Sequence, residues 1–175
     1  MKLEKGLVQV YTGNGKGKTS AAFGLALRAT GRGLKVYIIQ FIKGGFDYGE
    51  LYSAQKLPGL KLKAFGRGKF VSEEKPDKED IDLAEQALNT AEKAVKSGEY
   101  DVIVLDEINV ALSLRLIKVE NVLRLIREKP IQTEIVLTGR KAPKEIIEVA
   151  DLVTEMVEVK HPFNSGFEAR KGIEY

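Results

Sequence analysis

The run Tyr11-Thr12-Gly13-Asn14-Gly15-Lys16-Gly17-Lys18-Thr19-Ser20 mixes glycines, two lysines and hydroxyl side chains in one short segment. That mixture suits a chain of phosphates. Glycines let backbone N–H groups face an anion, a following helix N-terminus adds positive potential, and Lys18 brings a mobile charge. Thr19 is placed to ligate Mg2+. Tight packing alone would account for the glycines, but two lysines aimed at a helix N-terminus would then repel it. The usual pattern opens on a glycine where this chain has Thr12, while Gly13 and Gly15 fall inside the loop. The loop is therefore of a shifted, unusually basic kind.

A second constellation is Val102-Ile103-Val104-Leu105-Asp106-Glu107, four apolar residues running into two carboxylates. A strand of this kind brings an acid beside Thr19 to hold a metal directly or through water. Asp106 as a helix N-cap is the other reading, and the sequence leaves open which acid takes the metal. Leu137-Thr138-Gly139-Arg140 ends a further strand, where a guanidinium can clamp a phosphate or pair with Asp106 or Glu107. Gln40-Phe41-Ile42-Lys43-Gly44-Gly45 follows a strand to the same edge, where its glycines would permit a mobile loop over bound ligand, but by composition it reads as a plain connecting loop, and Arg28 as part of a solvated face.

These groups need a frame that brings strand ends together. Gly6 to Thr12 reads as a buried strand and Lys18 to Thr30 as a helix stopped by Gly31-Arg32-Gly33. Leu34 to Phe41 is a second strand, and Leu60 to Phe65 alternates as an edge strand with one wet face. A loop rich in Gly, Lys and Glu runs from Gly66 to Lys75. Pro76-Asp77 then opens an amphipathic helix through Ile81, Ala84, Leu88, Ala91 and Val95, ended by Ser97-Gly98. Val102 to Leu105 is a strand buried on both faces. A helix through Val119, Val122, Leu123 and Ile126 stops before Pro130, and Thr133 to Thr138 is a strand. Pro143 starts a helix, Leu152 to Val159 is a last strand, and His161 to Tyr175 shows no period. The alternation predicts an α/β fold with a mostly parallel sheet and helices on both faces. Residues 1–175 read as a single domain.

Composition narrows the chemistry. The chain has 175 residues, 43% apolar, which suffices for one core. It has one histidine and no cysteine, which excludes disulfides, a cysteine nucleophile and a Cys/His zinc site. Any redox step must draw on an outside partner or a bound cofactor. With 28 basic and 25 acidic residues spread along the chain, no basic stripe points to nucleic acid. No apolar run nears membrane length, and no signal-peptide pattern follows Met1-Lys2-Leu3-Glu4-Lys5, so the cytoplasm is expected. Aromatics and glycines in the tail suggest ordering against a ligand or another subunit.

Taken together, Thr12 to Ser20, Gln40-Phe-Ile-Lys-Gly44, Val104-Leu-Asp-Glu107, Leu137-Thr-Gly-Arg140 and the ending Gly172-Ile-Glu-Tyr175 resemble the ATP:corrinoid adenosyltransferases of the CobA/CobO/BtuR type. The resemblance runs from about Gly6 to the last residue. It implies transfer of the 5′-deoxyadenosyl group of ATP to the Co(I) centre of a corrinoid, with tripolyphosphate released and Mg2+ required. It further implies a RecA-like sheet of about six strands, a homodimer, and an external reductant such as a flavoprotein.

Carried onto this chain, Gly13, Asn14, Gly15, Lys16, Gly17, Lys18, Thr19 and Ser20 would bind ATP, with Lys18 and Glu107 catalytic. Thr19, Asp106 and Glu107 would manage the metal. Phe70 would join the ligand site through a loop that helps to remove the corrinoid's lower ligand; Arg140 is added to that site from its strand-end position, and His161 from the tail, although a lone His before Pro is most often an exposed bystander. In adenosyl transfer the whole triphosphate leaves, so a basic loop that neutralises all of it is fitting. An ATP-hydrolysing or phosphoryl-transferring enzyme and a nucleotide-sensing module without chemistry are the rival readings of the loop.

Overall fold

The computed structural model describes residues 2–45, 47–69, 71–72 and 76–175. Among them six five- or four-residue strands form one sheet: β1 (Val8–Thr12), β2 (Val36–Gln40), β3 (Leu60–Ala64), β4 (Val102–Asp106), β5 (Glu134–Thr138) and β6 (Leu152–Glu155). Their order is β3-β2-β4-β5-β1-β6, and every pairing is parallel. All carboxyl ends therefore share one edge, the side on which ligands sit in such sheets. The helices are α1 (Lys18–Thr30), α2 (Gly49–Ala54), α3 (Lys78–Ser97), α4 (Ile108–Ser113), α5 (Val119–Glu128) and α6 (Lys144–Val149).

Period-two alternation sorts the strand residues onto two faces. Val36, Ile38, Val102, Val104 and Val136 meet the alanine stripe Ala22, Ala26 and Ala29 of α1. Tyr37, Ile39, Ile103, Leu105, Ile135 and Leu137 pack with Ala84, Leu88 and Ala91 of α3 and with Val122, Leu125 and Ile126 of α5. Strands β2, β4 and β5 are buried at every position, as a sheet covered on both faces demands. Each large side chain so buried contributes roughly 1.5–3 kcal/mol of hydrophobic stabilisation. The small residues of α1 let that helix lie close to the sheet, so the turn before it is held over the strand ends.

The expected α/β architecture and strand count are observed, and β3 is an edge strand of alternating exposure. The last strand is shorter than Leu152 to Val159: it ends at Glu155, after which the backbone turns onto the loop that follows β1. Helices α2 and α4 were not legible as helices, because six residues are too few to display a 3.6-residue period. Pro143 stands just before α6, at its cap position. No helix of the described residues is long and apolar enough to cross a membrane.

Candidate active site

The strand order decides who meets whom. Strand β5 lies between β1 and β4, so the glycine-rich loop and the acidic strand end are not neighbours in the sheet. Helix α1 closes the gap, because its first turn carries Thr19 across to β4. Thr19 Oγ1 donates to Asp106 Oδ1 at 2.9 Å. Thr138, at the end of the intervening strand, donates to the same oxygen at 2.6 Å and accepts from the Glu107 N–H at 3.0 Å.

Asp106 is fully buried and its second oxygen is also engaged. Oδ2 accepts from Gln40 Nε2 at 3.1 Å and from Lys43 Nζ at 2.8 Å. Burial alone would push its carboxyl pKa up, but the Lys43 charge and the hydrogen bonds from Lys43, Thr138 and Gln40 hold it below the usual value. Lys43 shows the converse. Burial would lower its pKa, and the charges of Asp106 and Glu107 raise it instead. The N-cap reading of Asp106 is not observed: it closes β4, and Glu107 occupies the cap position of α4 in left-handed backbone, φ 61°.

Glu107 faces a cavity of about 530 Å3 whose walls include Asn14, Lys43, Tyr48, Val110 and Arg140. Burial and then the neighbouring Asp106 charge raise its pKa, partly offset by Lys43, Lys18 and Arg140. Lys18 is buried at the loop, with Nζ donating to the Gly15 carbonyl at 2.6 Å. Burial lowers its pKa, Glu107 opposes that, and Arg140 and Lys43 add to it. Arg140 is exposed at the cavity rim and pairs with neither Asp106 nor Glu107 among the described residues.

The glycine-rich loop is held from its far side by the segment after β6. A Cβ on Gly13, at φ 93°, would lie 2.4 Å from the Met156 carbonyl oxygen, and one on Gly15 would lie 2.7 Å from that of Val157. The Gly15 N–H is itself committed to the Met156 carbonyl at 2.7 Å. These two glycines thus serve close backbone approach as well as the loop's turn. Thr12, in the shifted first position, is buried and accepts from the Ala142 N–H at 3.3 Å, which ties the loop to the segment carrying Arg140.

Lys16 points the other way. Its ammonium bonds Glu174 Oε1 at 2.8 Å, and Glu174 is also held by Arg170. With His161, Phe163 and Phe167 these residues line a second cavity of about 300 Å3. His161 Nδ1 accepts from the Phe163 N–H and caps a 3-10 turn at Pro162–Ser165, away from the first cavity. Phe70 lies outside the described residues. The structure thus sets Asn14, Glu107 and Arg140 on the wall of one cavity, joins Thr19 to Asp106 behind Lys43 of that wall, and sets Lys16 and His161 beside another cavity.

Two polar participants were missed from sequence, Gln40 and Lys43. The signal was available in the topology: β2 pairs with β4 in a register that sets Gln40 opposite Asp106. No group of three or more His, Cys, Asp or Glu side chains forms a metal cage among the described residues. The donor set still fits a hard cation that takes few protein ligands and completes its shell with water and phosphate. Thr19 supplies a hydroxyl, Asp106 a carboxylate, and the buried Gln40 Oε1, without a hydrogen-bond partner, is able to accept from a bound water.

A family model described as "ATP:corrinoid adenosyltransferase BtuR/CobO/CobP" matches residues 4–175. A "Corrinoid adenosyltransferase" of Sinorhizobium sp is 42% identical over 174 residues, covering 98% of this chain and 81% of the relative. One from Pseudomonas aeruginosa is 40% identical over 173 residues, 98% and 85% of the two chains. The relative of that name from Escherichia coli is 36% identical over 172 residues, 98% and 87%.

Proposed function

The chain belongs to the ATP:corrinoid adenosyltransferase family, and on that premise we propose that it moves the 5′-deoxyadenosyl group of ATP onto the Co(I) centre of a corrinoid and releases tripolyphosphate. The corrinoid is cobalamin or cob(I)yrinic acid a,c-diamide, and the reaction serves cobalamin synthesis, salvage or both. The observation that carries this reading is the junction of loop and cavity. Lys43, which bonds both Thr19 and Asp106, lines a space of about 530 Å3 together with Asn14 of the loop and Glu107. Its wall adds the apolar Ile42, Val71, Val110 and Leu114 to charged groups. That is more room than a water nucleophile needs, and it suits a large co-substrate with an apolar face.

The chemistry asks little acid–base work of the protein. Co(I) donates its electron pair to the ATP 5′ carbon, the bond from that carbon to the α-phosphate oxygen breaks, and the electrons leave on tripolyphosphate. No proton moves at the reacting carbon, so a site with one histidine and no cysteine is not handicapped. The work is alignment and the stabilisation of leaving-group charge. Lys18 neutralises the leaving triphosphate, Arg140 acts at the cavity rim, and Lys16 adds its charge once it leaves Glu174. Thr19 and Asp106 would hold Mg2+, which would supply further positive charge to the triphosphate. An external reductant provides Co(I), a second copy of the chain completes a homodimer, and the cytoplasm is the compartment.

Glu107 keeps a hydrolytic reading in play, since a carboxylate of raised pKa facing the cavity is where a water-activating base would stand. One assay separates the two. The protein is mixed with Mg-ATP and chemically reduced cob(I)alamin, and the corrinoid spectrum and the phosphate product are followed. Adenosylcorrinoid with tripolyphosphate is expected; orthophosphate released without corrinoid would replace this reading by the hydrolytic one. Lys18→Ala should cut transfer by roughly 10²–10³-fold or more while leaving the circular dichroism spectrum unchanged.

A further inference from the structure

Lys43 stands where two cations would compete. Its ammonium lies 3.1 Å from Thr19 Oγ1 and 2.8 Å from Asp106 Oδ2, oxygens of the same two side chains that would hold a metal. A second, weaker set of contacts lies on the cavity side. Glu107 Oε1 is 3.9 Å from the ammonium, and the Tyr48 ring centroid is 5.6 Å from it. The residue before it, Ile42, is held in left-handed backbone at φ 68°, a conformation that costs a β-branched residue free energy. That backbone turn aims Lys43 back at Asp106. Ile42 and Lys43 also form part of the cavity wall.

We propose that Lys43 is the resident cation of the Thr19–Asp106 pair: it neutralises the buried carboxylate before the metal arrives, is displaced by the metal–triphosphate, and is then held by Glu107 and Tyr48 at the cavity wall. This rests on the reading of Thr19 and Asp106 as the metal site. Displacement gives metal–nucleotide loading a mechanical consequence. The strained turn at Ile42 is free to relax, and the wall that receives the second substrate changes shape only after the first is in place. A charge swap of this kind couples two sites through one side chain with two sets of partners, and such couplings commonly amount to roughly 5–150-fold in affinity.

The test uses the full chain and Mn2+ as the probe, with free Mn2+ followed by electron paramagnetic resonance, first alone and then with ATP. Lys43→Gln, which removes the competing charge, should bind Mn2+ alone about tenfold tighter or more than the unaltered chain. Lys43→Arg keeps the charge and should stay near the unaltered affinity. Thermal melts give a second readout: Lys43→Gln should melt lower without metal and recover on adding Mg2+, while the unaltered chain responds little to Mg2+ alone. If Lys43→Gln does not fold without metal, its refolding on Mg2+ addition serves the same purpose. Equal Mn2+ affinity in all three proteins would overturn the role of Lys43 alone. No Mn2+ binding to any of them, even with ATP, would overturn the metal site as well.

Discussion

The two flanks of the glycine-rich loop are built on opposite principles. On the acid flank Thr19, Gln40, Lys43 and Thr138 converge on one fully buried carboxylate, Asp106. On the tail flank the exposed Lys16 and Arg170 hold a half-buried Glu174, over backbone contacts that leave no space for a side chain on Gly13 or Gly15. A buried charge network is strict in its side chains, because any missing partner strands a charge away from water. An exposed one is tolerant in its side chains and strict only where backbones touch. The difference says where substitutions will be felt.

The sharpest break is Asp106→Ala. It leaves the Lys43 ammonium in a pocket that is 15% exposed at that side chain, without its nearest counter-charge, and leaves two hydroxyls without their acceptor. Loss of one partner from a buried pair costs about 3–5 kcal/mol, readable by urea unfolding at neutral pH. The pH dependence has a definite sign. The folded-state pKa of Asp106 lies below 3.8, so its contribution is full above that value and is lost as pH falls through the folded pKa. The gap between the unaltered chain and Asp106→Ala should therefore close in strong acid. A gap that persists there would mean that packing, not charge, sets the cost.

Gly15→Ala probes the tail flank at its strict point. The added methyl meets the Val157 and Met156 carbonyl oxygens at 2.7 and 2.8 Å, both backbone, so the segment after β6 or the loop must shift. Overpacking of this kind costs about 1–3 kcal/mol, and the expected signature is a lower melting temperature together with weaker ATP binding. An unchanged melting temperature would mean that the segment after β6 yields freely, and the contrast between flanks would then be wrong.

How much of this was legible follows the same division. The sheet and its long helices were readable because the continuous apolar runs of β2, β4 and β5 and the three-and-four spacing in α3 are properties of local sequence. Residue type and strand-end position put one of two acids, Asp106 or Glu107, beside Thr19, and the structure sets Asp106 2.9 Å from it. Lys43 was not readable, because its importance depends on β2 lying beside β4, a fact of strand order that composition does not carry. The end of β6 was misplaced for a related reason. Met156, Val157 and Val159 favour a strand by side chain, but Met156 and Val157 turn onto the loop glycines instead. Arg140 was read as clamping a ligand or pairing with an acid; it stands at the cavity rim and pairs with neither acid.

The smallest effect, and the one that tests the tail flank most directly, is the titration of Glu174. Its pKa is pulled down to about 2, first by the side-chain hydrogen bond from Arg170 and then by that from Lys16. A depressed carboxylate stabilises its contacts above the ordinary value of 4.5 and loses them only as pH falls through about 2, so the tail should stay docked across the whole neutral and weakly acid range. Both cations are exposed, and ion pairs of that kind contribute little to global stability, so Glu174→Gln should leave the melting temperature within error. The carboxyl carbon resonance of Glu174 is the proper readout. Its midpoint should lie far below 4.5 in the unaltered chain, rise most in Arg170→Gln and rise less in Lys16→Met. ATP should shift it in the same direction as Lys16→Met, since a triphosphate that recruits Lys16 takes one of the two cations from Glu174 while Arg170 remains. A midpoint near 4.5 without ATP would mean that the tail is undocked in solution, and Lys16 would then be free for phosphate from the start.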